Sequence, residues 1–200
     1  MEGLTILPFA EELHNINLTG EITEEMLKNL TDKINEIRAS DNDVALNNFS
    51  VLQSIGINVS VGLPPIYIKL SSCGGSVYVA MAIYDLIKDL QRAYTVNIIS
   101  NGYCMSAGCT VLLSVPKQNR FCYQHTTFLL HTLSSGGYGK LKDLEENVEE
   151  WKRLHEIMWG IYKDETKIPK KVLDDIYREK QDLFLDAKKA KSWGLVGQIL

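Results

Sequence analysis

The sequence lacks long hydrophobic runs, a charge of one sign and paired cysteines, and each absence excludes a class of protein. No stretch approaches the roughly 18 uninterrupted apolar residues that a membrane span requires. The start, Met1-Glu-Gly-Leu-Thr-Ile-Leu-Pro, has no basic residues followed by an apolar run, so a secretory signal is not expected. We therefore expect a cytoplasmic protein without a membrane partner.

The charged residues are mixed along the chain rather than gathered on one face. The formal net charge is -4, from 21 Lys+Arg and 25 Asp+Glu. Without a cationic face, neither nucleic acid nor an anionic membrane is an expected partner. A chain of 200 residues that is 45% hydrophobic and 23% charged is large enough for one domain with a substantial core. The prediction is a single domain over residues 1–200.

The few cysteines argue against disulfides and against a zinc site. Four are present, in or next to apolar segments: Cys73, Cys104, Cys109 and Cys122. Metal-site cysteines usually come in short paired spacings on turns, a pattern that these residues do not follow. We expect reduced thiols and no bound metal.

Two consecutive strand–turn–helix units form the most regular part of the sequence. Their turns, Ser71–Ser76 and Asn101–Met105, consist mostly of small residues. Strands are predicted over 66–70, over 94–100, from about 121 and over 127–131. Strands that alternate with helices imply right-handed crossovers and a largely parallel sheet, which predicts a layered α/β fold.

Helical periodicity marks the chain on both sides of these units. Thr23 is predicted to cap an amphipathic helix that ends near Arg38. A long charged helix with an apolar stripe is predicted over 140–163, and a shorter one opens at Pro169. The last helix is predicted over 186–193, followed by a final strand.

The turns of the two units hold the first candidate catalytic groups, because α/β folds bind ligands at the carboxyl ends of strands. Ser106 is predicted at the first position of a helix, where its hydroxyl is exposed near the positive end of the helix dipole. Gly74 and Gly75 let the backbone aim an N–H group outward, as an oxyanion site requires. A serine that only caps its helix and a glycine pair that only forms the turn are the alternatives.

A nucleophilic serine needs a base, and the chain has four histidines. His131 ends the apolar strand Phe128-Leu-Leu-His, just before a glycine-containing loop, and therefore lies at the carboxyl end of a strand. His125, just before that strand, is the chief competitor. His14 and His155 are predicted to be solvated surface residues.

The acidic partner of the histidine is the least determined member. The late carboxylates are Asp174, Asp175, Asp182 and Asp186. Asp182 precedes the apolar segment 183–185, which is expected to hold it against the core. Asp186 is predicted to cap the final helix instead.

Five ordered motifs resemble the proteolytic subunit of the Clp protease. They are Ser-Cys-Gly-Gly-Ser-Val at 72–77, Met81-Ala-Ile-Tyr-Asp-Leu86, Gly102-Tyr-Cys-Met-Ser-Ala-Gly108, Phe128-Leu-Leu-His131, and Asp182-Leu-Phe-Leu-Asp-Ala187 with Gly194-Leu-Val. Their order and separations fit over roughly 16–200. The resemblance implies a layered Clp/crotonase-type fold, with a head of about 16–131 and 181–200 and a handle of about 132–180.

The resemblance also implies a serine endopeptidase that cleaves unfolded polypeptides by acyl-enzyme chemistry. By position, Ser106 is the nucleophile, His131 the base, Asp182 the third member, and the N–H groups of Gly75 and Ala107 the oxyanion donors. No cofactor takes part in that chemistry. The family further implies two stacked heptameric rings, joined through the long helix, and a hexameric AAA+ unfoldase that spends ATP.

The sequence departs from the family pattern at several positions. Cys73 stands where the family usually has proline, and Thr132-Leu133 replaces the usual Gln-Pro after the histidine. Both changes border the expected substrate cleft. Residues 39–63, rich in Asn, Ser, Asp and Gly, fall where the family is compact and are predicted to form a loop or irregular insertion. The N-terminus is short compared with the propeptide and axial-loop region of the family.

Three other functions start from the same observations. A phage-type capsid maturation protease has the same triad on the same fold and no unfoldase. A noncatalytic ring subunit only supports active partners, although all three triad members are present here. An acyl-CoA hydratase or isomerase of the crotonase fold shares the paired N–H oxyanion site but usually relies on carboxylates, and the arrangement of Ser106 and His131 argues against it.

Overall fold

A computed structural model describes residues 6–57, 62–179 and 181–200. Its strands are β1 Asn15–Ile22, β2 Ile66–Gly75, β3 Val96–Met105, β4 Arg120–Cys122, β5 Thr127–Leu130, β6 Leu183–Leu185 and β7 Gln198–Ile199. They form one sheet in the order β1-β2-β3-β4-β7, with β5 added beside β3 and β6 beside β5. All of these pairs are parallel except β5–β6. The predicted layered α/β fold is confirmed.

The helices pack against this sheet. They are α1 Glu24–Ser54, α2 Val77–Leu90, α3 Ala107–Leu112, α4 Leu141–Glu165, α5 Lys170–Glu179 and α6 Ala187–Ser192. The strand β2 shows why they pack there: Ile66, Ile68 and Leu70 are buried and alternate with exposed Tyr67 and Lys69. Within the described ranges, no helix combines the length and the apolar character needed to cross a membrane.

The two central strands are longer than the sequence predicts. The predicted turns 71–76 and 101–105 mostly continue β2 and β3, which end at Gly75 and Met105. The pairing of β2 with β3 shifts register between Leu70 and Ser72, which is typical of a bulge. Beyond it β3 leaves β4 and pairs with β5. The extra length brings the end of β3 beside β5, which pairs with β6 on its other edge.

The prediction of a loop or irregular insertion over 39–63 is wrong for most of that range, because α1 continues to Ser54. Its polar residues Asp41 and Asn48 are buried. Asp41 Oδ2 lies 2.8 Å from His14 Nε2, and the Asn48 side chain bonds both the N–H and the C=O of Leu7. Asp and Asn disfavour helix interiors unless tertiary contacts satisfy their side chains. Residues 58–61 of the predicted loop lie outside the described residues.

His14 and His155 are buried, so the prediction that they are solvated is wrong. His155 stacks between Trp159 and Tyr177, with ring centroids 4.4 Å apart in both pairs. Burial lowers the pKa of His155. Its position in a strongly charged helix concealed that it lies on the inward face, with Met158 and Tyr162.

Arg120 attaches the end of α4 to the sheet. Its side chain is fully buried and donates hydrogen bonds to the carbonyl of Val115, to the carbonyl of Glu165 and to the Glu165 carboxylate. Burial lowers the pKa of Arg120, and Glu165 opposes that shift. A buried guanidinium paired in this way holds the last turn of α4 next to β4 and to the end of α3.

Candidate active site

Ser106 joins β3 to α3 in a strained backbone conformation. Its φ is 53° and its ψ is -127°, and it is the one non-glycine residue with positive φ in the described part of the chain. Such a conformation is costly for a residue with a Cβ and persists only where the surroundings hold it. Its side chain makes no capping hydrogen bond to α3. The hydroxyl therefore does not serve the helix that it precedes.

Backbone contacts hold Ser106 on both sides. Its N–H donates to the carbonyl of Leu129 at 2.9 Å, and its own carbonyl accepts from the Cys109 N–H at 2.9 Å. Small residues let α3 lie close to the sheet: a Cβ at Gly108 would sit 3.3 Å from the Ser72 carbonyl oxygen. The structure thus supplies the restraint that the strained conformation requires.

The glycine pair of the first unit lies against Ser106. A Cβ added at Gly74 would come within 2.7 Å of the Ser106 Cβ and 3.1 Å of its Oγ. One added at Gly75 would lie 2.5 Å from the carbonyl oxygen of Ile22. Gly74 and Gly75 have φ of 101° and 146°. The pair therefore serves the turn and also lets the backbone approach the serine.

The pairing of β5 with β6 brings His131 and Asp182 to the same end of this strand pair. The antiparallel pairing of β5 with β6 ends with Leu130 opposite Leu183. His131 directly follows β5 and Asp182 directly precedes β6, so both residues lie next to the last pair of these two strands. The pairing of β3 with β5 ends at Met105 opposite Leu129, which brings Ser106 to the same edge.

The side chains of these three residues are not joined. Over the described ranges, no hydrogen bond links Ser106 to His131, and no ion pair within 4.0 Å links His131 to Asp182. His131 is half-buried and Asp182 is exposed. The expectation that Asp182 is held against the core is wrong, because strand alternation puts it on the side of exposed Phe184 rather than of buried Leu185.

The competing candidates lie elsewhere or have another task. His125 is exposed in the turn before β5. Asp174 and Asp175 lie on α5. Asp186 accepts a hydrogen bond from the Lys189 N–H at 2.7 Å and caps α6, as predicted. Ser106, His131 and Asp182 are the candidates that lie directly next to the ends of β3, β5 and β6.

A cavity of about 190 Å³ opens beside the His131 loop. The loop contributes Thr132 and Leu133, which stand where the family usually has Gln-Pro, and the helices contribute Trp151, His155 and Tyr177. Ser135, Val148 and Lys152 complete a wall that combines aromatic, aliphatic and polar side chains and leaves room for an apolar substrate side chain. Among the described residues, no group of three or more His, Cys, Asp or Glu side chains is arranged to hold a metal ion.

Sequence reasoning missed Tyr162, whose hydroxyl lies 3.4 Å from the carbonyl oxygen of Ser106. It is buried in the last part of α4. The helical stripe that contains Leu154 and Met158 extends to Tyr162, so its burial was readable from the sequence. The sequence did not predict its contact with Ser106, because that contact joins residues 56 positions apart.

Known proteins resemble the chain in sequence and in fold. A family model for Clp protease matches residues 57–200. The ATP-dependent Clp protease proteolytic subunit 2 of Pseudomonas aeruginosa is 28% identical over 199 residues, covering 99% of this chain and 86% of that protein. Proteolytic subunit 3 of Rhizobium johnstonii is 35% identical over 136 residues, which is 68% of each chain.

A solved structure of a ClpP1 mutant from Listeria monocytogenes superposes with a TM-score of 0.73. It covers 94% of this chain and 92% of the other at 23% identity. At that identity the likeness concerns the fold, and it agrees with the layered sheet described above. The matched sequence range includes both strand–turn–helix units, the His131 strand and the segment that contains Asp182. The chain therefore belongs to the Clp protease family.

Proposed function

We propose that this chain is the serine endopeptidase subunit of a Clp-type protease, with Ser106 as the nucleophile, His131 as the base and Asp182 as the residue that orients the histidine. The carrying observation is the conformation of Ser106, strained at φ 53° and without a capping bond, with Gly74 packed against it. A serine that only capped α3 would have an ordinary backbone conformation and a hydrogen bond to the first turn. The strain fits a hydroxyl turned toward a substrate.

The proposed reaction is acyl transfer. His131 removes the proton of the Ser106 hydroxyl, the oxygen attacks a peptide carbonyl, and the protonated imidazole then gives its proton to the departing amine. Water attacks the acyl-enzyme with the same histidine as base and restores the serine. Asp182 stabilises the imidazolium that forms in both steps. The chemistry requires no cofactor within this subunit.

The N–H groups of Gly75 and Ala107 are the proposed oxyanion donors. Ala107 is the first residue of α3, where backbone N–H groups have no partner within the helix. Gly75 ends β2 beside the glycine that contacts Ser106. Two such donors stabilise the tetrahedral intermediate, and each contributes about 3 kcal/mol in serine peptidases.

The open arrangement of the three side chains fits a site that assembles on substrate binding or ring formation. His131 directly follows β5 and Asp182 directly precedes β6, one residue beyond the paired Leu130 and Leu183, so we propose that rotation of the two side chains joins them. Catalytic hydrogen bonds are often long without substrate and shorten in the complex. We propose that the closed triad forms when a peptide fills the cleft.

The family supports an oligomeric ring protease that works with Clp-type ATPases. We propose two stacked heptameric rings in the cytoplasm, fed with unfolded polypeptides by an AAA+ unfoldase. The outer part of α4 supports the stacking, because Leu141 is 75% exposed and Val148 is 40% exposed there. Apolar side chains on an unpartnered helix are typical of a surface that another subunit covers.

A serine-directed phosphonate or β-lactone probe tests the catalytic assignment. The wild-type protein should be labelled at Ser106, and His131→Ala should lose the labelling. His125→Ala is the matched control, because it removes a neighbouring imidazole that lies outside the proposed triad. Labelling that survives His131→Ala at the wild-type rate would remove this residue from the mechanism.

The particle mass in solution and the ATPase dependence test the assembly. A ring protease should have a mass that is a multiple of the 22.6 kDa chain, whereas a particle of 22.6 kDa would contradict a chambered enzyme. Protein degradation that depends on an added AAA+ ring, while small peptides are cleaved without it, fits the unfoldase. Cleavage of folded protein without a ring would favour a maturation protease instead.

A further inference from the structure

The buried hydroxyl of Tyr162 lies behind the proposed nucleophile. It comes from the final turns of α4 and reaches to 3.4 Å from the carbonyl oxygen of Ser106, which is long for a hydroxyl–carbonyl hydrogen bond. Trp159 packs edge-on against the Tyr162 ring with centroids 5.5 Å apart. The ring is packed in the core, and its hydroxyl contacts the carbonyl of the strained residue.

The surroundings of this hydroxyl keep it protonated. Burial raises the pKa of Tyr162 well above its ordinary value, the neighbouring thiols of Cys109 and Cys104 raise it further, and the Thr110 hydroxyl opposes this shift only in part. A protonated phenol in a buried site needs an acceptor. The carbonyl of Ser106 is the acceptor to which the structure directs it.

The planarity of the peptide bond links this contact to the oxyanion site. The C=O of Ser106 and the N–H of Ala107 belong to one trans peptide group, in which they point in opposite directions. A donor that holds the carbonyl from inside the core therefore turns the Ala107 N–H away from the core. That N–H is one of the two oxyanion donors proposed above.

We propose that Tyr162 is a positioning residue that orients the Ala107 N–H through the Ser106 carbonyl, and that it connects α4 to the oxyanion site. This rests on the proposed peptidase function. The Cys109 N–H also donates to the same carbonyl, at 2.9 Å, so Tyr162 tunes an orientation that does not depend on it alone. Its removal should weaken catalysis without abolishing it.

The test compares two Tyr→Phe variants, each of which loses one hydroxyl group and keeps the ring. Tyr162→Phe keeps the buried ring and removes the contact with Ser106. Tyr78→Phe is the control, because the Tyr78 hydroxyl likewise joins α4 to another element but donates to Glu150 Oε1, at 2.7 Å, rather than to Ser106. We expect kcat for a peptide substrate to fall about tenfold in Tyr162→Phe, as the loss of one hydrogen bond predicts, with KM unchanged and Tyr78→Phe at the wild-type rate.

A spectroscopic readout keeps this test separate from the peptidase assignment. Ser-Ala occurs once in the sequence, at 106–107, so carbonyl-13C serine with 15N alanine labels a single peptide bond for NMR. The Ser106 carbonyl resonance should move upfield in Tyr162→Phe and stay in place in Tyr78→Phe. An unmoved resonance, or equal losses of kcat in both variants, would overturn the proposal. If the wild-type protein fails to react with the serine probe, the peptidase assignment fails, and the resonance still decides whether Tyr162 holds this peptide group.

Discussion

The two strand–turn–helix units each place a serine immediately before a helix, and the two serines behave differently. Ser76 has φ -60° and ψ 122°, and its hydroxyl accepts a hydrogen bond from the Val79 N–H. Ser106 has φ 53° and ψ -127° and caps nothing. The same residue type at the same point of a repeated unit is a helix cap in one case and a candidate nucleophile in the other.

The neighbours of each serine account for this difference. The Ser106 N–H is bonded to β5, and Gly74 leaves room beside its Cβ. The helix that follows Ser106 has six residues, all buried, so packing rather than a cap stabilises it. The helix after Ser76 has 14 residues and retains its side-chain cap. A hydroxyl becomes available for chemistry where tertiary contacts have replaced its local role.

The largest expected effect comes from exchanging each serine for alanine. Ser106→Ala should reduce kcat for a peptide substrate by at least about 10³-fold, because the nucleophile is lost. Ser76→Ala should leave kcat within about twofold, because the Ser76 hydroxyl caps α2 and its loss keeps the backbone of the adjacent Gly75 in place. Steady-state peptide cleavage measures both. Comparable losses in the two variants would contradict the division between cap and nucleophile.

A smaller effect is expected from crowding the glycine pair. In Gly75→Ala the added Cβ must displace the backbone of Ile22, which would lie 2.5 Å away, and the proposed oxyanion N–H moves with it. We expect kcat to fall about 10²-fold, as for the loss of one oxyanion donor.

Gly20→Ala is the control for this variant. Gly20 also has a positive φ, of 102°, but nothing lies within 4 Å of its added Cβ. It therefore carries a comparable backbone strain without the clash. If kcat fell equally in Gly75→Ala and Gly20→Ala, backbone strain alone would explain the loss of activity.

Loss of the ordinary cap should affect stability rather than activity. Ser76→Ala removes the acceptor for the Val79 N–H at the start of α2. The free energy of unfolding should fall by about 1 kcal/mol, the usual contribution of an N-cap serine. Denaturant titration of the assembled protein measures it, with Ser76→Asp as the variant expected to restore the cap. No recovery in Ser76→Asp would argue that the hydroxyl has another role.

The smallest effect is expected at the cysteines of the two units. Cys73 is exposed near the first turn, whereas Cys104 is buried near the second. Burial raises the pKa of Cys104 well above its usual value and that of Cys122 to about 11, so both stay protonated at pH 8 and react slowly. Ellman's reagent should modify one thiol in the native protein, and Cys73→Ser should remove that reaction while changing stability by less than about 0.5 kcal/mol. Rapid reaction of any thiol besides Cys73 would contradict the burial of Cys104, Cys109 and Cys122.

Local patterns predicted much of the fold. The predicted cap at Thr23 is confirmed, since its side chain accepts from the Met26 N–H, and Asp186 caps α6. The parallel sheet also followed from the alternation of strands with helices. The length of α1 was underestimated because the hydrogen-bond partners of Asp41 and Asn48 lie in the N-terminal segment, far away in sequence. Strand lengths were underestimated because glycines at a strand end resemble a turn until a neighbouring strand pairs with them.

For the candidate site, the sequence by itself determined which residue types stand at the ends of strands, since chain order and hydrophobic alternation set the strand ends. Only the tertiary structure decided how Ser106 is twisted, that Gly74 lies against it and that Asp182 faces solvent. These features depend on the register between β3, β5 and β6. Register arises from contacts between distant segments, and a linear pattern does not specify those contacts.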